Sequence, residues 1–227
     1  MINNCRPRTV KEALAYDALY DSDPTLDKLV KGQRWRDAIN DEITVKMIGE
    51  NNAFEFFPAG TTMPKGYQNI AMTTVFTTDR DGKFKARACM RGDQVRCDVP
   101  TYLHVMESSS LRMLLTSALA QQLDIQITDI KQAFLLVEPG PWEDVWIPKC
   151  GPEFGEHHGQ AARVAANIYG LNSAGSAWNY HFQRILESMG FTTSRLDRSV
   201  YMRERSREVD GASKTYVQMI GVHVDDA

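Results

Sequence analysis

Apolar side chains recur every three to four positions in three stretches of the chain, which predicts three amphipathic helices. The first helix covers residues 33–50, the second residues 110–122 and the third residues 173–189. Serines at residues 108–110 are suitable N-caps for the second helix, and Gly190 is a suitable end for the third. The apolar positions of the first helix are Trp35, Ile39, Ile43 and Met47.

A β-hairpin is predicted over residues 73–90. Residues 73–77 are rich in β-branched side chains, Asp81 and Gly82 form a strong turn signal, and residues 84–90 supply the returning strand. One face of this hairpin should be cationic, because basic side chains follow the turn at close intervals. These cations are Lys83, Lys85, Arg87 and Arg91.

Further strands are predicted where short segments are apolar or alternate between apolar and polar residues. These segments are residues 53–57, 124–129, 145–147 and 216–224, of which residues 124–129 should form a half-buried strand. Helices and strands follow each other without a regular βαβ repetition. The expected fold class is therefore α+β.

Composition favours a globular protein, since 43% of the 227 residues are hydrophobic and 24% are charged. Residues 1–30 look peripheral and are interpreted as a partly disordered flank, with one domain over residues 31–227. No apolar run is long enough to span a bilayer, and the first eight residues lack the apolar core of a secretory signal. The net charge of −3 argues against nucleic-acid binding through bulk charge, but it leaves room for a local basic channel.

Three aspartates follow apolar segments. Asp129 ends the segment at residues 124–129, and Asp225 and Asp226 come directly after the segment at residues 216–224. If these two strands are neighbours, three carboxylates converge and suit Mg²⁺, and two such ions support in-line phosphoryl transfer. Aspartate is also common at strand ends because it favours turns, so the spacing alone leaves both interpretations open.

Four segments carry sequence motifs in a fixed order. KARACMRG at residues 85–92 is similar to the motif KARLVARG, and DIKQAFL at residues 129–135 is similar to DVKNAFL. IYGLNSAGSAW at residues 168–178 is similar to LYGLKQAPRAW, and HVDD at residues 223–226 stands where the motif is YVDD. Together these segments resemble the reverse transcriptase domain of copia-type retrotransposons, over nearly the whole chain.

The resemblance implies the fingers and palm of a right-hand polymerase, with a mixed or antiparallel palm sheet and packed helices. It implies RNA-directed DNA synthesis, in which dNTPs are added to a primer 3′-hydroxyl by two-metal nucleotidyl transfer with Mg²⁺, or with Mn²⁺ in its place. The implied partners are a primed RNA or DNA template, dNTPs and the rest of a Gag-Pol polyprotein, including integrase and RNase H, with no membrane. The implied location is a cytoplasmic retrotransposon particle or the nucleus, and the protein is not expected to be secreted.

The resemblance also implies a catalytic metal site. Asp129, Asp225 and Asp226 match the catalytic aspartates of the family and are the implied metal ligands. The backbone carbonyl of Ile130 is a further implied metal contact.

Other residues match positions that meet the nucleotide. Arg87 matches the cation on the triphosphate, Phe134 matches an aromatic steric gate against the ribonucleotide 2′-hydroxyl, and Gly170 matches a glycine beneath the base pair. The implied nucleotide-binding residues are Lys85, Arg87, Phe134 and Gly170, and the implied nucleic-acid contacts are Lys83, Arg91 and His223.

The chain departs from the family motifs at several positions. Asn172, Gly175 and Ser176 replace a lysine, a proline and an arginine, and His223 replaces a tyrosine. The chain ends one residue after Asp226, so we expect a truncated domain in which the thumb is absent. The alternative to an active polymerase is therefore an inactive relic that binds nucleic acid at most.

Five arginines precede the last predicted strand and are a candidate nucleic-acid edge. Glu204 and Glu208 interleave with them, and the segment has the pattern of an exposed hairpin. We therefore expect a solvated hairpin here rather than a binding surface. The arginines are Arg195, Arg198, Arg203, Arg205 and Arg207.

Overall fold

The structure, a computed structural model, describes residues 6–96, 101, 103–137 and 144–223. Predictions for the first five residues and for Asp225 and Asp226 therefore lie outside the described residues. Helices and strands are mixed along the chain, and the sheets are mixed or antiparallel, which confirms the α+β class. In the described part of the chain, no helix is long and apolar enough to cross a membrane.

The chain divides into two compact units, where the sequence suggested one domain after a flank. The first unit comprises Met1–Val99 and Phe134–Ala174, and the second comprises Pro100–Ala133 and Gly175–Ala227. The elements of the first unit are α1 (Val10–Ser22), α2 (Pro24–Val30), α3 (Trp35–Ile39), β1 (Phe54–Phe57), β2 (Gln68–Asn69), β3 (Met72–Thr78), β4 (Phe84–Met90), β5 (Val145–Ile147) and β6 (Ala161–Val164).

Within the part of the chain expected to be a partly disordered flank, residues 10–30 form the helices α1 and α2 and contribute buried side chains to the core of the first unit. Asp17 of α1 is 1% exposed. Its carboxylate accepts hydrogen bonds from the backbone N–H groups of Trp35 and Arg36, both at 2.8 Å. These bonds cap the start of α3 from a distant point in the sequence, which a local pattern does not reveal.

The helix predicted over residues 33–50 is confirmed, with one difference in its geometry. After α3 the chain continues as a π-helical segment from Asn40 to Glu50. Its apolar side chains still face the core, since Ile43 and Met47 are fully buried. The burial of these two residues follows from their spacing in the sequence.

The predicted hairpin is also confirmed, as the antiparallel pair β3 and β4. Trp35 joins this hairpin to the helix. Its ring stacks on Phe84 with centroids 4.0 Å apart and meets Phe76 edge-on at 5.4 Å. These contacts fix the hairpin against the core of the first unit.

The stability of the fold should depend on pH through Glu42, because its carboxyl group is buried between the helix and β4. Burial raises the pKa of Glu42 above its ordinary value of 4.5, and the Lys46 ammonium at 3.6 Å and the Ala88 N–H at 3.4 Å offset only part of this effect. The folded state thus holds the proton more tightly than the unfolded state, so stability decreases as pH rises through the raised pKa. We expect Glu42→Gln to be more stable than the wild type at pH 7 and equally stable below about pH 4. Denaturant unfolding at several pH values tests this, and a stability difference that does not change with pH would contradict it.

A four-stranded sheet completes the first unit, in the order β1–β6–β5–β2. The pairs β1–β6 and β5–β6 are antiparallel, whereas β2–β5 is parallel. The strands predicted near residues 54–57 and 145–147 are confirmed.

The elements of the second unit, among the described residues, are α4 (Ser108–Ala120), α5 (Ala174–Ser188), β7 (Thr192–Thr193), β8 (Val200–Val209) and β9 (Ala212–Gly221). The three strands form an antiparallel sheet in the order β7–β8–β9. Both predicted helices are confirmed, and α5 ends before Gly190, which has a φ of 85°.

The half-buried strand predicted over residues 124–129 is wrong. This segment joins no strand ladder, and within it only Asp129 forms a single β-bridge. Ile125 and Ile127 are 52% and 89% exposed. Alternation buries apolar side chains only where another layer covers one face, and among the described residues no such layer covers these two.

Candidate functional site

The solvent face of β4 carries predicted cations in the first unit. Lys85 and Arg87 are exposed and alternate with buried alanines, so both side chains point to solvent. The turn before the strand is closed by Asp79, whose carboxylate accepts hydrogen bonds from the N–H groups of Asp81 and Lys83 at 3.0 and 2.8 Å. The predicted cationic face of the hairpin is therefore present.

The cations near this strand differ in their ionic partners. The Lys85 ammonium lies 3.4 Å from the Asp79 carboxylate, and Arg91 donates two hydrogen bonds to Asp93 at 2.9 and 2.7 Å. Within the described residues, Arg87 forms no ion pair. Its exposed guanidinium is thus available to an anion, and its planar fork suits a phosphate.

Phe134 lies in a short 3₁₀-helix, Ala133–Leu136, five residues after Asp129. Its ring meets Tyr169 at an interplanar angle of 69°, with centroids 5.2 Å apart. The ring is half-buried and packs against the core of the first unit. Such contacts restrict the movement of the ring.

Gly170 has a packing role in the structure. Its φ is 92°, and an added Cβ would lie 2.2 Å from the carbonyl oxygen of Met90. The N–H of Met90 donates a 2.7 Å hydrogen bond to the carbonyl of Tyr169. Glycine is therefore needed here for the close approach of two backbone segments within the first unit.

Two of the predicted metal-binding residues, Asp129 and Ile130, are described by the structure and belong to the second unit. Asp129 is exposed, and within the described residues its carboxylate forms no ion pair. Asp129 and His223 each form a single-residue β-bridge, and Ile130 is half-buried beside Asp129. An unpaired exposed carboxylate is a hard oxygen ligand of the kind that Mg²⁺ prefers.

The structure thus places the predicted site residues in two groups. Lys85, Arg87, Phe134 and Gly170 lie in the first unit, with Lys83 and Arg91. Asp129, Ile130 and His223 lie in the second unit. Over the described ranges, no three acidic, histidine or cysteine side chains gather into a metal site, and two of the three predicted carboxylates are outside those ranges.

A cavity of about 420 Å³ opens in the second unit, and no predicted site residue lines it. Its lining comprises Gln183, Thr193, Ser194, Arg195 and Arg198. The two arginines were noticed in the sequence as members of a basic segment, but their convergence on one cavity had no sequence signal.

Comparison with protein families gives a match to a family described as reverse transcriptase (RNA-dependent DNA polymerase). The match covers residues 59–227. It includes the motif segments that carry Arg87, Asp129, Gly170 and Asp225.

Comparison with curated proteins gives relatives in plant transposons. The chain is 27% identical to the retrovirus-related Pol polyprotein from transposon RE1 and 28% identical to that from transposon RE2, both from Arabidopsis thaliana, over 95% of its length. It is 23% identical, over 88% of its length, to the retrovirus-related Pol polyprotein from transposon TNT 1-94 of Nicotiana tabacum. The chain spans 14% of the length of each of these relatives.

Proposed function

Because the chain belongs to the reverse transcriptase family and is related to the Pol polyproteins of copia-type retrotransposons, we propose that it is an RNA-directed DNA polymerase domain. The family match over residues 59–227 is the observation that carries this proposal. The reaction would add a dNTP to the 3′-hydroxyl of a primer that is paired to an RNA or DNA template. In this proposal the first unit supplies fingers elements and the second supplies palm elements.

The proposed catalytic residues are Asp129, Asp225 and Asp226. With the carbonyl of Ile130 they would hold two Mg²⁺ ions, or Mn²⁺ in their place. Bound metal ions activate the attacking hydroxyl and neutralise charge on the phosphates in transfers of this class. The exposed, unpaired carboxylate of Asp129 fits this role.

The proposed role of Arg87 is to bind the triphosphate of the incoming dNTP. Its guanidinium is exposed on a strand that Trp35 fixes to the core through Phe84, so the backbone that carries Arg87 is held in place before the ligand arrives. Lys85 would add positive charge beside it, and Phe134 would exclude the 2′-hydroxyl of a ribonucleotide. Lys83, Arg91 and His223 remain proposed contacts to nucleic acid.

The wider context is part of the same proposal. We place the chain within a longer polyprotein, as in the relatives whose names describe Pol polyproteins. Integrase and RNase H would be its neighbours there, and a cytoplasmic particle or the nucleus its place of action.

Replacement of Arg87 tests nucleotide binding directly. A hydrogen bond to a charged group contributes about 1.5–3 kcal/mol, so Arg87→Gln should raise the Kd for a dNTP roughly 10- to 100-fold. The measurement is equilibrium binding of the templated dNTP to the chain with primed template and Mg²⁺.

Arg163→Gln is the matched control, because Arg163 is an arginine of the same unit that pairs with Glu55 at 2.7 Å. The control should keep the wild-type Kd. Equal Kd values for Arg87→Gln and the wild type would contradict the proposed triphosphate contact, and wild-type binding that needs no Mg²⁺ would contradict the proposed function.

A further inference from the structure

The β8–β9 hairpin separates its charges by face. Side chains alternate between the two faces of a strand, so Arg203, Arg205 and Arg207 share one face of β8. Lys214 pairs directly with Arg207 across the hairpin and joins that face. We call these four residues the cationic face.

The acidic residues of the hairpin strands lie on the opposite side. Glu204 and Glu208 pair with Val217 and Ser213, and both are exposed. In the sequence these glutamates interleave with the arginines, but the register places them on the other face. The nearest further carboxylate in sequence, Asp210, lies in the turn at the tip of the hairpin.

The cationic face contains two like charges that lie directly across the hairpin from each other. Arg207 and Lys214 are directly opposite each other, and like charges at such a position destabilise a hairpin. Among the described residues, none of the four cations forms an ion pair. An external polyanion would relieve this repulsion.

Two of the cations are positioned by neutral partners. Arg203 donates hydrogen bonds to the Gln218 side chain at 2.8 Å and to the Met189 carbonyl at 2.7 Å. Arg207 donates to the Gln121 carbonyl at 3.2 Å and lies 5.5 Å from the centroid of the Tyr216 ring. These contacts orient the guanidinium groups without cancelling their charge.

We propose that the cationic face binds the phosphate backbone of the nucleic-acid substrate. The inference rests on the proposed polymerase function, since the ligand is the primer–template. Consecutive cations spaced along a strand suit a linear polyanion, and a chain with a net charge of −3 needs such a local concentration of positive charge.

The test uses Arg205→Gln/Lys214→Gln, because neither side chain hydrogen-bonds within the described residues and the fold should persist. Binding of a fluorescent DNA duplex with a recessed 3′ end is measured over a salt series. Each phosphate contact contributes about 0.9 to the slope of log K against log salt, so the double variant should lower the slope by about 1.8. An unchanged slope would overturn the proposal.

Two control variants make the test specific to this face. Lys11→Gln/Lys28→Gln removes the same charge from exposed sites on α1 and α2, and it should keep the wild-type slope. Glu204→Gln/Glu208→Gln alters the opposite face and should also keep it. An equal loss of slope in the Lys11/Lys28 variant would mean that bulk charge causes the effect, and it would overturn the proposal.

A separate primer-extension assay distinguishes the proposed polymerase function from the proposed binding role of the cationic face. If the Arg205→Gln/Lys214→Gln variant lowers the salt slope but the wild type extends no primer, the result would support the cationic face and contradict the polymerase function. Primer extension together with an unchanged salt slope in the Arg205→Gln/Lys214→Gln variant would support the polymerase function and overturn the proposal for the cationic face.

Discussion

Replacing Asp129 with asparagine should reduce nucleotide incorporation on the order of a thousandfold, because metal-assisted stabilisation contributes several kcal/mol and each 1.4 kcal/mol changes a rate tenfold. Asparagine keeps the size of the side chain and removes the charge that would hold the metal. Asp129 is exposed, so its replacement leaves no buried group without a partner. The measurement is single-turnover addition of one dNTP to a primer on an RNA template.

Asp124→Asn is the matched control for this experiment. Asp124 is an exposed aspartate five residues before Asp129. It should retain wild-type incorporation, and both variants should bind primed template as the wild type does. An Asp129→Asn variant with wild-type incorporation would remove Asp129 from the proposed metal site.

Replacing Trp35 with alanine should lower the free energy of unfolding by about 3–5 kcal/mol, the usual cost of truncating a buried aromatic side chain. Trp35 is 1% exposed and contacts both strands of the β3–β4 hairpin through Phe76 and Phe84. The loss approaches the whole stability of many domains, so the variant should unfold at much lower denaturant concentration. Denaturant unfolding followed by circular dichroism measures it.

Trp35→Phe is the control, because it shows whether any aromatic ring at this position is sufficient or whether the full volume of the indole is needed. Phenylalanine can retain the stack on Phe84 but fills less of the site, so its loss of stability should be clearly smaller than that of alanine. If both variants were as stable as the wild type, the ring would not join the hairpin to the core as the structure indicates.

Local signals predicted much of this fold correctly. The three helices and the β3–β4 hairpin were visible because their apolar residues follow the helical and strand periods, and Gly190 was recognised as a helix end. The exception among the strands is residues 124–129, whose alternation is clear although Ile127 is 89% exposed. Alternation states which side chains share a face, but it does not state whether another element covers that face.

Long-range contacts explain why the structure near the N-terminus differs from what the sequence suggested. Residues 1–30 looked peripheral in the sequence, and aspartates such as Asp17 usually lie in solvent. Asp17 is nevertheless buried, since the first N–H groups of α3 satisfy its carboxylate. Only the folded chain brings these groups together.

In the candidate site, too, some features could be predicted from the sequence and others depend on long-range contacts. The cationic face of the β3–β4 hairpin followed from the sequence, because basic residues follow the turn at close intervals. The packing role of Gly170 against Met90, the freedom of Arg87 from an ion pair and the separation of charges on the β8–β9 hairpin required the structure. The sequence interleaves Arg and Glu there, whereas the strand register places the two signs on opposite faces.

Template-directed addition of a single nucleotide tests the central proposal most directly, because the chain does not have to stay bound to the primer–template through many additions. Four primed RNA templates that differ only in the next base are each offered the four dNTPs with Mg²⁺. We predict that the chain adds the complementary dNTP in each case and that addition stops when Mg²⁺ is chelated. Absence of addition on all four templates, or addition that ignores the template base, would contradict an RNA-directed DNA polymerase.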